Sequence, residues 1–107
     1  MSDSRFATVA RVGEITEGIG LAAEVEGRAV AVFLVEGKYY AIDDVCAHQA
    51  FPLNDGVVVD CTVTCLYHGW RFHLDDGRWD ENPQVRVATH AVRVVGDEIQ
   101  VAVEPVE

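Results

Sequence analysis

Seven consecutive apolar residues, Ala29 to Val35, stand between the dipeptides Glu26-Gly27 and Glu36-Gly37. The run is too short for a helix of ordinary length and is rich in Val. It therefore predicts a strand buried on both faces. The segments around it read the same way. Phe6 to Val12 is a first strand, Glu17-Gly18-Ile19-Gly20 a turn, and Leu21 to Val25 leads into Glu26-Gly27 as one arm of a hairpin. After Glu36-Gly37, Lys38 to Ile42 returns the chain. Val57 to Thr64 is a strand-pair region, and Arg71 to Leu74 is a short strand ended by Asp75-Asp76-Gly77. Asn82-Pro83 marks a loop. Val85 to Ala88, Ala91 to Val95 and Ile99 to Val103 complete the set, the last two joined by the two-residue turn Gly96-Asp97. In the final strand Ile99, Val101 and Val103 share one face, with Gln100 and Glu104 on the other. Short strands every 8–12 residues or so, without an amphipathic helix, mean an all-β sandwich or barrel. A chain of 107 residues is expected to form one domain, residues 1–107.

Composition narrows the function classes. Half of the residues are hydrophobic, enough to bury a core, yet no run of about eighteen apolar residues is long enough to span a membrane. The first residues include Asp3, Arg5, Arg11 and Glu14 with no apolar stretch, so a secretory signal is not expected and the expected location is cytoplasmic. Eighteen acidic and eight basic residues give a formal net charge of −10. That surface repels nucleic acid and anionic lipid and favours partners with a basic docking patch, although acidity serves solubility equally well.

The chemistry is concentrated between Cys46 and Trp70. The first half reads Cys46-Ala47-His48-Gln49-Ala50-Phe51-Pro52-Leu53, the second Cys65-Leu66-Tyr67-His68-Gly69-Trp70. Reduced to metal-binding side chains this is C-x-H, sixteen residues, C-x-x-H. Two thiolates and two imidazoles can hold a metal centre. A Cys2His2 zinc site has the same donors but usually groups its cysteines in one knuckle and its histidines in the other, whereas each pair here is mixed. Three cysteines is an odd number and argues against a disulfide framework. Cys61, in a β-rich run and seven positions from His68, reads as a small buried hydrophobe rather than a ligand. His73 and His90 read as strand or surface histidines, and the sequence leaves Trp79 unplaced.

This segment closely resembles the Rieske family, in which two histidines replace two cysteines on one iron of a [2Fe–2S] cluster. The small residue and Pro-Leu after the first pair and the His-Gly-Trp after the second carry the resemblance. It implies an antiparallel β-sandwich with a small cluster-binding subdomain made of two loops, about residues 43–56 and 64–72. It implies Cys46 and Cys65 on one iron, with His48 and His68 on the other. Gln49, Pro52, Tyr67, Gly69, Trp70 and Pro83 would shield the cluster or form a docking rim, Pro83 resembling the family's covering proline loop. Gly69 also reads as the residue of a tight turn.

Ligand charge sets the expected potential. Two ferric ions, two sulfides, two thiolates and two neutral imidazoles sum to zero, against a more negative all-cysteine cluster. Histidine ligation therefore raises the potential into a band of roughly −150 to +300 mV. Rieske proteins of respiratory cytochrome complexes carry a disulfide between the loops, where this chain has Phe51 and Tyr67. They also place hydroxyl donors where it has Trp70 and Phe72. Fewer donors to the cluster stabilise the reduced state less, so the bottom third of the band is expected.

With every protein position filled, the resemblance implies a one-electron carrier and not an enzyme. It would be a ferredoxin passing electrons from a flavin-dependent NAD(P)H reductase to a terminal oxygenase for aromatic or related substrates. The alternatives are the small subunit of an NAD(P)H-dependent nitrite reductase and a zinc-stabilised binding module without redox function.

Overall fold

The computed structural model describes residues 6–45, 52–66 and 69–103. Among these residues there are eleven strands and no helix. In chain order they are β1 (Ala7–Arg11), β2 (Leu21–Val25), β3 (Arg28–Val35), β4 (Lys38–Asp43), β5 (Val57–Val59), β6 (Thr62–Thr64), β7 (Arg71–His73), β8 (Arg78–Trp79), β9 (Asn82–Arg86), β10 (Thr89–Val95) and β11 (Glu98–Ala102). Six form a sheet in the order β1-β11-β10-β4-β3-β2 and five a smaller sheet in the order β5-β6-β7-β8-β9. Every pairing between these strands is antiparallel. The edge strands β1 and β2 of the larger sheet also contact each other, so that sheet curls towards a barrel.

β3 shows why this arrangement suits the sequence. Val30, Ala31, Val32 and Phe33 are all fully buried. Successive side chains on a strand point to opposite faces. Val30 and Val32 accordingly join Val25, Ala41, Ile99 and Val101 inside the curled sheet, while Ala31 and Phe33 face Ile42, Val63, Phe72 and Leu74 between the two sheets. Each of the larger side chains among these, Val, Ile, Leu or Phe, contributes about 1.5–3 kcal/mol by leaving water. The ends of the apolar run are less covered: Ala29 is exposed, Leu34 and Val35 half-buried.

Turn chemistry fixes the register of this meander. Glu26 and Gly27 have φ of 53° and 79°, Glu36 and Gly37 51° and 81°. Two consecutive positive φ values make the tight hairpin whose twist matches its strands. Val25 consequently faces Arg28, and Val35 faces Lys38. The final hairpin, Gly96-Asp97, pairs Val95 with Glu98 as its sequence suggests, and Ile99, Val101 and Val103 all pack on the inner core.

Two expectations are corrected. Asn82-Pro83 is not a loop but the start of β9, and the strand ends at Arg86 rather than running from Val85 to Ala88. β9 is the outer strand of the small sheet, where a proline's missing N–H leaves no ladder bond broken. Trp79 lies in β8, opposite Phe72 and Asn82.

Candidate metal centre

Cys46, His48, Gln49, Phe51, Tyr67 and His68 lie outside the described residues. The described residues show how the chain delivers both loops to one place. The sixteen residues between His48 and Cys65 include the hairpin β5–β6, which pairs Val57 with Thr64. The chain leaving the first loop therefore runs beside the chain about to start the second. Gly56 makes that closeness possible: a Cβ there would stand 2.5 Å from the Thr64 carbonyl oxygen and 2.7 Å from Val63 Cγ2. Only a residue without a side chain fits between the loops at this point.

Each loop is closed at its neck. The Cys65 N–H donates to the Trp70 carbonyl at 2.8 Å, and the Gly69 N–H donates to the Cys65 carbonyl at 2.9 Å. Gly69 has φ of 74° and open space where a Cβ would be. The turn thus needs glycine for its backbone conformation and not for room, as the sequence suggested. Cys65 is 1% exposed and packed with Val63, Phe72 and Leu74. In the first loop Asp44 is buried, and its carboxylate accepts the N–H groups of Leu53 and Asn54, both at 2.7 Å. The Asn54 side-chain amide adds a third bond at 2.7 Å.

Trp70 leaves the second loop stacked on Trp79, ring centroids 3.7 Å apart and planes 8° from parallel, with Phe72 at 6.3 Å. Both tryptophans pack against the core between the sheets, so Trp70 anchors the loop as well as bordering it. Pro52 is half-buried, Gly69 exposed, and Leu66 and Val45 present exposed apolar side chains beside the loops. Pro83 is exposed in β9, so it stands on a strand and not on a covering loop.

The other titratable groups form supporting pairs. His90 in β10 is buried, and its Nε2 lies 2.7 Å from Asp43 Oδ1, while Arg28 grips the same carboxylate through two nitrogens at 3.1 and 3.0 Å. β3, β4 and β10 are thereby locked together where the chain enters the first loop. His73 in β7 and Arg71 both bind Asp80, at 2.9 Å each. The His73 bond, followed by the Arg71 charge, holds the Asp80 carboxyl below its ordinary value. Cys61 is half-buried rather than buried, at the turn of β5–β6 furthest from Cys65. It lines a cleft of about 390 Å³ with Tyr40, Lys38 and Glu36, and its hydrogen bond to Tyr40 raises the phenol's pKa.

A buried sulfur donor on one loop, a second loop tied shut beside it, and a mixed thiolate–imidazole set fit an iron–sulfur group. The model of the Rieske [2Fe–2S] domain family matches residues 5–102. The chain belongs to that family. Its cofactor is a Rieske-type [2Fe–2S] cluster. The chain is 34% identical over 89 residues to the ferredoxin component of the naphthalene 1,2-dioxygenase system of Pseudomonas aeruginosa, covering 82% of this chain and 86% of that one. It is 41% identical over 69 residues to the terminal oxygenase component of a Sphingomonas carbazole 1,9a-dioxygenase, 61% of this chain but only 18% of that component. Among solved structures, the ferredoxin of carbazole 1,9a-dioxygenase from Nocardioides aromaticivorans IC177 superposes with a TM-score of 0.85 at 28% identity, covering 92% and 98% of the two chains. A structure assigned as the small subunit of an NADH-dependent nitrite reductase from Mycobacterium tuberculosis gives 0.88 at 27% identity, covering 94% and 96%.

The sequence missed Asp44, although its place two residues before Cys46 in Asp43-Asp44-Val45-Cys46 is visible. What it accepts lies nine and ten residues further on.

Proposed function

We propose that this Rieske domain is the ferredoxin component of a multicomponent oxygenase system, carrying single electrons from a flavin-dependent NAD(P)H reductase to a terminal oxygenase for aromatic or related substrates. The observation that carries this reading is the likeness to ferredoxin components along most of the chain: 34% identity over 89 residues to the naphthalene dioxygenase ferredoxin, and a superposition on the carbazole dioxygenase ferredoxin covering 92% of this chain. Cys46 and Cys65 would hold one iron, His48 and His68 the other; the bound cluster supplies reversible one-electron transfer in a band of roughly −150 to +300 mV. The chain's own part is to hold these four side chains in two closed loops, keep Cys65 away from water, and border the site with Trp70, Pro52 and the apolar tips Val45 and Leu66.

A small subunit of a nitrite reductase is the second reading, favoured by the structural likeness to the Mycobacterium tuberculosis protein. The two differ in how the partner is held. A carrier must dock and leave, and a chain with net charge −10 should do so by electrostatic attraction. Steady-state electron transfer from a flavoprotein reductase is therefore expected to slow several-fold between low and high ionic strength, since screening shortens to about 3 Å at 1 M salt. Stopped-flow reduction across a salt series measures this. A rate flat in salt, together with a stable complex with a large catalytic chain, contradicts the carrier reading.

A further inference from the structure

The residue that closes the first loop has no place in the ligand set. Asp44 is 8% exposed, and both carboxylate oxygens are used: Oδ1 takes the Leu53 and Asn54 N–H groups, Oδ2 the Asn54 Nδ2. Its own N–H donates to the Ala29 carbonyl of β3 at 3.0 Å. The far side of the clamp is equally confined. A Cβ on Gly20 would stand 2.3 Å from the Asn54 carbonyl oxygen and 2.7 Å from Phe33 Cε1, so Asn54 sits directly on the glycine backbone. The Gly56 N–H donates to the Leu53 carbonyl at 3.0 Å, turning the chain towards β5 and the second loop.

We propose that Asp44 is the positioning residue of the first ligand loop. Its carboxylate joins residue 44 to residues 53 and 54 across the segment carrying Cys46 and His48, and so fixes the width of the loop's neck before any metal is bound. The inference rests on the ligand assignment above, and assigns the neck's closure to one side chain. An acceptor-only carboxylate suits three converging donors, and no neutral side chain of similar size accepts from all three. Without it two backbone N–H groups and an amide in a poorly solvated neck lose their acceptor, and opening the loop costs less.

The test uses the purified full chain, with and without cluster. Asp44→Ala is expected to keep the far-ultraviolet circular dichroism of a β protein while iron passes to a chelator about tenfold faster or more. In the apoprotein the Leu53 and Asn54 amides should exchange with solvent faster by a similar factor, while those of Val30 and Val32 in β3 remain protected. The reduced protein's paramagnetic resonance should broaden as the ligands lose their fixed geometry. Asp44→Asn keeps one oxygen for the backbone donors but turns an amide towards Asn54, and should fall between. Combining it with Asn54→Asp exchanges donor and acceptor and should recover most of the loss. Should Asp44→Ala fail to fold, Asp44→Asn and this double variant are compared by the same measurements. Iron release and resonance unchanged in the variants overturn the proposal. So does equal acceleration of every amide, which would make Asp44 a support of the whole fold and not of the loop. A wild-type protein that takes up no cluster instead defeats the ligand assignment, and the amide exchange of the apoprotein still decides on Asp44.

Discussion

His48→Cys is expected to retain a cluster and to lower the reduction potential by on the order of 200 mV. The reason is charge. A neutral imidazole replaced by a thiolate adds one negative charge to the ligand set, and reduction then places its electron on a more negative site. The all-cysteine limit lies near −400 mV, well below the mixed-ligand band. The same variant removes one of the two imidazoles, His48 and His68, proposed to bind iron. Binding to oxidised iron acidifies an imidazole, so the wild-type potential should fall at alkaline pH by about 59 mV per unit for each coupled proton. The sign follows from which state holds the proton: the reduced form binds it more tightly, so raising the pH favours the oxidised form. In His48→Cys part of that slope should vanish. Potentiometric titration of both proteins across a pH series measures the two effects together. An unchanged or higher potential contradicts the ligand role of His48.

Phe72→Ala should destabilise the domain more than any surface change, by about 3–5 kcal/mol. Phe72 is fully buried in the middle of β7, paired with Val63 on one side and Trp79 on the other. It belongs to the core that also holds Cys65. Truncation leaves a void bounded by two strands that cannot close in without breaking their pairing. Against a total stability of about 5–15 kcal/mol, the loss is a large share of what holds the domain together. Thermal unfolding of the apoprotein should shift down by more than about 10 °C. A shift of one or two degrees would mean that the small sheet does not depend on the core between the sheets.

The strand framework was legible because each signal is local. A seven-residue apolar run and Glu-Gly dipeptides specify a two-faced strand and tight turns without reference to the rest of the chain. The Rieske resemblance was legible for the same reason, since two short stretches of sequence carry it. What escaped depends on residues far apart in sequence. Pro83 reads as a loop until β9 is known to be an outer strand. Trp79 has no place until β7 and β8 bring it onto Trp70. The carboxylate of Asp43 meets Arg28 fifteen residues earlier and His90 forty-seven later. Asp44 reaches only nine and ten residues ahead, but across the loop it closes. No periodicity announces such a clamp.

A redox titration followed by electron paramagnetic resonance decides whether this chain is a Rieske carrier of low potential. A red-brown protein is expected, its reduced form giving a rhombic signal and its midpoint lying in the lowest third of the Rieske band, below about 0 mV. A colourless, silent protein from both aerobic and anaerobic preparation contradicts the cluster itself. A midpoint above about +100 mV contradicts the argument that Trp70 and Phe72, in place of hydroxyl donors, leave the reduced state poorly stabilised.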